Sequence, residues 1–588
     1  MADDLSTFYQ LPQYFHLEQS DHMDKPMEIQ VTGEVPKWID GSLYRDGPGL
    51  FKIGPTAWNH LFDGYAVLQR WTICDGKVTF QASILDSENY NKSAKHRRIV
   101  GEGLGLNFPD PCETLFGRLF NRFMPSQPVS DNTNVNMIEL GDRLFALTES
   151  LSMNEINPDS LTVKERTALI TSQGSLVITL TYSYHNSAFA HSLINQKRHS
   201  QLYSSLNRVK STTGSRAQSF QSTCEREISD YIAVHMGTAH PHKLKDGTAI
   251  FYGTNMNPNK SYNFIAIPPQ PDPTKSPFAN AKVVATIPSR WKMNISYTHS
   301  FGMTENYFVH LEQPLTMNIP RALFYKQLGM NLADVLVPHE EESMDILLVD
   351  RTTGQRLPIT YKAPEGIVFH FINCYEESNH VVCDVCFIPK GAKSVHRIYF
   401  NLIVEDLKSR FHLQPTYARF VLPLALDKAE EGKNLVSLPD TTATAVLEKG
   451  NKNVVCVTPE FFKENMFTDF PAINYDYNGA KHRYCYTYSS LSVAERMLAK
   501  FDLIEKTVKT YDVSENHSPG EPVFVPRPGA TREDDGVILS TIIAANASVQ
   551  SYMVVLDAST FEEIARASLP SDIKMSLTFH GIFTDKKL

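Results

Sequence analysis

Val381-Val382-Cys383-Asp384-Val385-Cys386-Phe387 is a short apolar run rich in β-branched residues. Helices usually need ten or more residues, and a run this short with this composition reads as a strand buried on both faces. Comparable segments recur outward from it in both directions, at 77–82, 143–147, 248–252, 307–311, 346–349, 381–388, 454–457 and 537–543. Between them lie turn formers such as Asp75-Gly76, Asn257-Pro258-Asn259 and Asp535-Gly536. Many short strands punctuated by Gly, Pro, Asn and Asp indicate an all-β chain: a barrel, a sandwich or a propeller. At 588 residues a propeller fits best, because it grows by adding blades rather than by enlarging one core. No internal repeat is visible that would count the blades.

Composition narrows the function. Hydrophobic residues make up 42% of the chain, enough for a large core, and the formal net charge is −9. A mildly acidic chain exerts no general pull on nucleic acid or anionic lipid, so any membrane contact must be local. The opening MADDLSTFYQLPQYF has no apolar signal region, and no run of 18 apolar residues occurs. A cytoplasmic protein with reduced thiols is expected. Cys383 and Cys386 form the only C-x-x-C, and with no second pair to complete a zinc site they read as strand residues.

Two segments break the strand pattern. Over 109–126, Leu115, Phe116, Leu119, Phe120, Phe123 and Met124 recur at helical spacing, with Arg118 and Arg122 off the stripe. Such a helix packs on a core or lies in a membrane interface, and the neighbouring Cys112 is a candidate for acylation. The segment 167–227 begins apolar and becomes basic and Ser/Thr-rich, which reads as an inserted mobile loop.

Among 20 histidines, four stand in distinctive surroundings: His240 in Gly237-Thr238-Ala239-His240-Pro241-His242, His299 in Ser296-Tyr297-Thr298-His299-Ser300-Phe301-Gly302, His370 in Phe369-His370-Phe371, and His580 in Thr578-Phe579-His580-Gly581. They are too far apart to share one helix, as an HExxH pair does. Ligands this dispersed suit a closed ring of blades, each offering one side chain to a common axis.

These motifs resemble those of the carotenoid cleavage oxygenases in their animal branch. The resemblance extends through Gly41-Ser42-Leu43-Tyr44-Arg45-Asp46-Gly47-Pro48-Gly49, His60-Leu61-Phe62-Asp63-Gly64, Pro109-Asp110-Pro111-Cys112, Thr148-Glu149, Phe470-Pro471-Ala472-Ile473-Asn474-Tyr475 and Gly520-Glu521-Pro522-Val523-Phe524-Val525. It covers nearly the whole chain, in order. It implies one seven-bladed β-propeller over 1–588, with a dome of loops and helices above an iron(II) site. It also implies His240, His299, His370 and His580 as ligands, with Glu149, Asp469 and Glu521 orienting His299, His370 and His580. Thr148 is placed by the same resemblance beside an open metal position. Asp469 departs from the family pattern, which carries Glu there. The shorter side chain requires either that the backbone move inward or that a water bridge the gap. His60, His242, His235 and His310 read as structural.

The implied reaction is dioxygen-dependent cleavage of a carotenoid double bond. The first expectation is central 15,15′ cleavage to retinal, with one half leaving as the 11-cis isomer if the resemblance extends to isomerising members. Retinyl-ester isomerohydrolysis and eccentric 9′,10′ cleavage are alternatives on the same fold. A non-catalytic binding propeller is an alternative of another class. A carotenoid is almost insoluble in water, so peripheral membrane contact is expected through Cys112, Leu115, Phe116, Leu119, Phe120 and Phe123.

Overall fold

Tyr65–Cys74 and Lys77–Ile84 form a hairpin whose two-residue connection, Asp75-Gly76, has both residues at positive φ (49° and 77°). That twist matches the right-handed twist of the strands, and Asp-Gly adopts it readily. The hairpin belongs to a computed structural model that describes residues 5–109, 111, 130–150, 152–168, 235–256, 259–272, 275–393, 398–408, 414–426 and 429–585. The proposed membrane helix, with Cys112, Leu115, Phe116, Leu119, Phe120 and Phe123, lies outside those residues. So does the 167–227 insertion, apart from 167–168, which end the strand Val163–Ala168.

All eight segments expected to be strands are strands, most of them longer by a few residues. The 381–388 run is the centre of His380–Pro389 and is buried almost throughout. Ladders, antiparallel except where Thr360–Ala363 pairs parallel to Val454–Thr458, sort the described strands into groups in chain order. The first group joins His580–Thr584, Gly41–Asp46 and the Tyr65–Ile84 hairpin. The second runs from Asn136–Leu140 to Val163–Ala168, and the third from Met236–Gly237 and His242–Lys243 to Lys282–Pro288. Gly302–Met303 begins the fourth, Gly366–Glu377 the fifth, and Phe467–Ala472 the sixth. His517–Pro519 and Val523–Pro526 begin the seventh.

Packing between groups closes the ring. Tyr44, Ala66 and Leu68 of the first group share a core with Met137, Leu144 and Ala146 of the second. Val309, Ile346 and Leu348 of the fourth meet Cys374, Cys383 and Val385 of the fifth. Val537, Leu539 and Val555 of the seventh return to Leu43, Val67 and Trp71 of the first. Each sheet is thus covered on both faces, and Gly536–Ala544 is buried at all nine positions instead of alternating. Met27–Gly33 laces the outer strands Glu563–Ser568 and Lys77–Ile84 together. This is the β-propeller expected from the strand pattern.

Additional segments stand outside the groups. Asn294–Ser296, Leu315–Asn318 and Leu336–Pro338 form a small sheet with the helix Ile319–Phe324, while the helix Phe400–Lys408 packs through Phe400 on Phe8 and Phe15. Among the described residues no helix is long and apolar enough to cross a membrane.

Candidate metal centre

His240 lies between the two short inner strands of the third group, and His299 just before Gly302–Met303 of the fourth. His370 is on the inner strand of the fifth group, where the register shifts between Val368 and Phe371. His580 opens the strand that pairs with Gly41–Asp46, opposite Asp46. Hydroxyls tie these backbones together. Thr238 donates to the His299 carbonyl (2.6 Å) and accepts from the His240 N–H (2.9 Å), while Ser300 donates to the Phe369 carbonyl (2.5 Å).

The result is four imidazoles facing one point. Nε2 of His240 is 2.8 Å from that of His299, which is 3.2 Å from that of His370, which is 3.2 Å from that of His580. All four ligand atoms lie within 4.8 Å of one another. Nitrogens about 2.1 Å from a shared ion would be about 3 Å apart when adjacent and about 4.2 Å apart when opposite.

The other ring nitrogens decide what those Nε2 atoms are. His299 Nδ1 is hydrogen-bonded to Glu149, His370 Nδ1 to Asp469 at 2.6 Å, and His580 Nδ1 to Glu521 at 2.7 Å. A carboxylate only accepts, so each Nδ1 carries the proton and each Nε2 presents a lone pair. Lone pairs 3.2 Å apart in a buried site repel unless a cation lies between them. Three carboxylates less the guanidinium of Arg45 leave two negative charges, which a divalent ion balances. Among the described residues His240 has no carboxylate partner. Burial first, then the other three imidazoles, holds it well below the ordinary histidine value, so it too stays neutral and able to ligate. Burial likewise lowers His580 to about 4, against the opposing pull of Glu521.

Asp469 bonds His370 directly, in a stretch of irregular backbone. The register slips between Asp469 and Ala472, and Phe470 takes a left-handed φ of 50°, uncommon for a bulky residue. Its ring, half-buried, lies 5.4 Å from that of His370 and 5.3 Å from that of His580. Burial works to raise the carboxyls of both Asp469 and Glu521, but His370 in one case, and His580 with Arg45 in the other, hold them below the ordinary range.

Two anchoring residues escaped the sequence reading. Arg45, wholly buried, donates to Glu521 (2.6 Å) and to the Phe579 carbonyl (3.1 Å). Tyr297 donates its hydroxyl to Glu149 (2.7 Å). Both stand in quoted motifs, and a charge inside the strand Gly41–Asp46 was the available signal for the first. Thr148 is half-buried in the turn with Glu149 and shares no hydrogen bond with the cluster among the described residues. His242 bonds Phe301 and Asn478, and His60 caps the turn at Leu61–Asp63. His310 is in the strand Tyr307–Glu312 and His235 adjoins Met236–Gly237, all apart from the cluster.

Residues 17–585 match the family model described as retinal pigment epithelial membrane protein. The chain belongs to that family, the carotenoid oxygenases. Human beta,beta-carotene 15,15'-dioxygenase is 32% identical over 572 residues, covering 95% of this chain and 92% of that protein. The mitochondrial carotenoid-cleaving dioxygenase of Mustela putorius furo is 33% identical, covering 95% and 93%. Among solved structures, the cobalt-substituted apocarotenoid oxygenase of Synechocystis aligns with a TM-score of 0.66 at 20% identity, over 96% of this chain and 99% of that one. That likeness shows a shared fold. In this carotenoid oxygenase the four imidazoles and three carboxylates come from different strand groups, and among the described residues one imidazole has no carboxylate partner.

Proposed function

We propose that this protein is an iron(II) dioxygenase that cleaves the central 15,15′ double bond of a carotenoid into two aldehydes, one oxygen atom going to each. The observation that carries the reading is the cluster of four neutral imidazoles, three of them held by carboxylates, in a chain whose relatives are named as carotenoid dioxygenases. Imidazole donors suit divalent first-row metals, and four of them leave two positions of an octahedron free. An ion held by these residues would supply the activation of dioxygen. The chain's own part is to hold four Nε2 lone pairs at fixed separations. Glu149, Asp469 and Glu521 keep Nδ1 protonated, and Arg45 and Tyr297 keep two of those carboxylates in place. Phe470, Phe579 and Phe62 form an aromatic strip beside His580, with ring centroids 6.4 Å and 5.6 Å apart, a surface suited to a polyene. Thr148 is proposed to narrow one free metal position with its methyl group. Release of one half as the 11-cis isomer is proposed as a coupled outcome.

The deciding experiment incubates iron-loaded protein with β-carotene under air and under nitrogen, followed by chromatography of the isomers. Retinal forming only under air supports the reading. Turnover of a retinyl ester without dioxygen would replace it with isomerohydrolysis, and a long apocarotenal with a short methyl ketone would replace it with eccentric 9′,10′ cleavage.

Peripheral membrane association belongs to the same proposal. Met293, Phe324, Leu328 and Leu332 are exposed, on a region tied together by the Ile319 N–H to Met293 carbonyl bond (3.1 Å). The Ala333 N–H donates to the Leu104 carbonyl (3.0 Å), so this patch adjoins the chain leading into 109–126. Wild type should float with liposomes, and a Phe324→Glu, Leu328→Glu variant should remain below them.

A further inference from the structure

The motif that follows Asp469 continues into a segment, 474–480, to which nothing above gives a role. It leaves the sixth group, makes one short turn at Tyr475–Tyr477, and returns to the strand Tyr484–Ser490. In that short length it touches four other groups. The Tyr475 hydroxyl accepts from the Lys243 N–H of the third group (2.9 Å). The Asn478 amide meets His242 Nδ1 of the same group at 3.1 Å. His242 faces the Phe301 carbonyl of the fourth group through Nε2 (3.0 Å). Asn373 of the fifth group donates to the carbonyls of Tyr477 (3.0 Å) and Ala480 (2.9 Å) and accepts from the Gly479 N–H (3.0 Å). Asn474 donates to the Glu533 carbonyl of the seventh (3.0 Å).

The positions touched are not scattered. Two of these positions, His242 and Asn373, stand two and three residues after His240 and His370, and His242 in turn bonds Phe301, two residues after His299. Gly479 has a φ of 81° and passes the Thr304 backbone, where a Cβ would come within 3.5 Å. One short loop therefore crosses the ring beside the histidines, meets the third and fifth groups just past their imidazoles, and reaches the fourth directly beside Thr304 and through His242 at Phe301. Sheet packing holds neighbouring groups together, and this cross-member links the third, fourth, fifth and seventh at once.

We propose that segment 474–480 is a strap that sets the spacing of His240, His299 and His370, acting as a positioning element for the metal without touching it. The inference rests on the four histidines holding a metal. Releasing the strap from one strand lets that imidazole drift. A site whose neighbouring nitrogens lie 2.8–3.2 Å apart tolerates little drift before binding weakens.

The test removes the strap's grip on the third group with Tyr475→Phe, Asn478→Ala. Both changes fall in a loop, and Tyr475 is half exposed. Metal-free protein is titrated with cobalt(II) alone, followed by visible absorbance, and thermal unfolding of the metal-free forms is measured alongside. The strap predicts cobalt(II) affinity weakened by about 10-fold or more, on the scale of other supporting contacts around metals. It also predicts a shifted cobalt(II) spectrum, with the metal-free variant unfolding within a few degrees of wild type. If the double variant does not fold, Tyr475→Phe alone carries the same expectation on a smaller scale. An unchanged spectrum and affinity overturn the proposal, including when the melting temperature falls, since that pattern marks a loop that only stabilises. Wild type that takes up no cobalt(II) removes the metal reading itself, and the strap's role with it.

Discussion

Asp469 and Glu521 hold neighbouring histidines at nearly equal distances, 2.6 and 2.7 Å, by opposite means. Glu521 reaches with side-chain length and is fixed from behind by the buried Arg45 guanidinium and the Gly581 N–H. Asp469 is a methylene shorter and reaches with its backbone, through a register slip and a left-handed Phe470. One arm stores its precision in a charge pair, the other in chain geometry. The two should therefore fail differently.

The largest effect is common to both arms. His370→Ala and His580→Ala should each abolish stoichiometric iron, measured by elemental analysis of folded protein, and His240→Ala and His299→Ala should do the same. Full iron in three of the four would end the ligand assignment. Next is Arg45→Met, which has no counterpart in the Asp469 arm. It strands a buried carboxylate and should cost about 3–5 kcal/mol of stability in denaturant unfolding. Glu521 is held below its ordinary value, so this contribution is present above about pH 4.3 and is lost as pH falls through the lowered value. Wild type and variant should converge in acid. A loss under about 1 kcal/mol would show that Arg45 is not what fixes the Glu521 arm.

Asp469→Asn and Glu521→Gln test the contacts themselves. Each should weaken metal binding by about 10–100-fold with the fold intact, as should Glu149→Gln. Equal affinity for Asp469→Asn and wild type would mean that His370 keeps its tautomer without help. The smallest effect is the most discriminating. Asp469→Glu restores the residue of the family pattern, yet this backbone is already drawn in. The extra methylene should overpack the site by about 1 kcal/mol, the low end of what such insertions cost. A variant as stable as wild type would mean that the bulge is not fitted to aspartate.

The contrast also marks what the sequence could tell. Strands were legible wherever β-branched runs met turn residues, and Asp75-Gly76 even specified its turn. Ring closure was not, because Gly41–Asp46 and His580–Thr584 pair across more than 500 residues with no local trace. The histidines were legible through their motifs. The means by which Asp469 reaches His370 was not, because a register slip is decided by neighbouring strands and not by the residues within it. Arg45 and Tyr297 were in view, but their roles consist of contacts made between blades. Nothing along the chain tells one buried polar residue in a strand from another.

That closure has a consequence for how the protein is made. Arg45 is among the first parts of the site to be synthesised, and it waits for Phe579, 534 residues later, to complete its hydrogen bonds. At about 5–20 residues per second, that interval lasts roughly half a minute to nearly two minutes. Throughout it, the first blade lacks its inner strand and the site lacks His580. Four imidazoles cannot meet until that strand emerges from the ribosome, so a nascent chain stalled before residue 580 would hold no more than three of them.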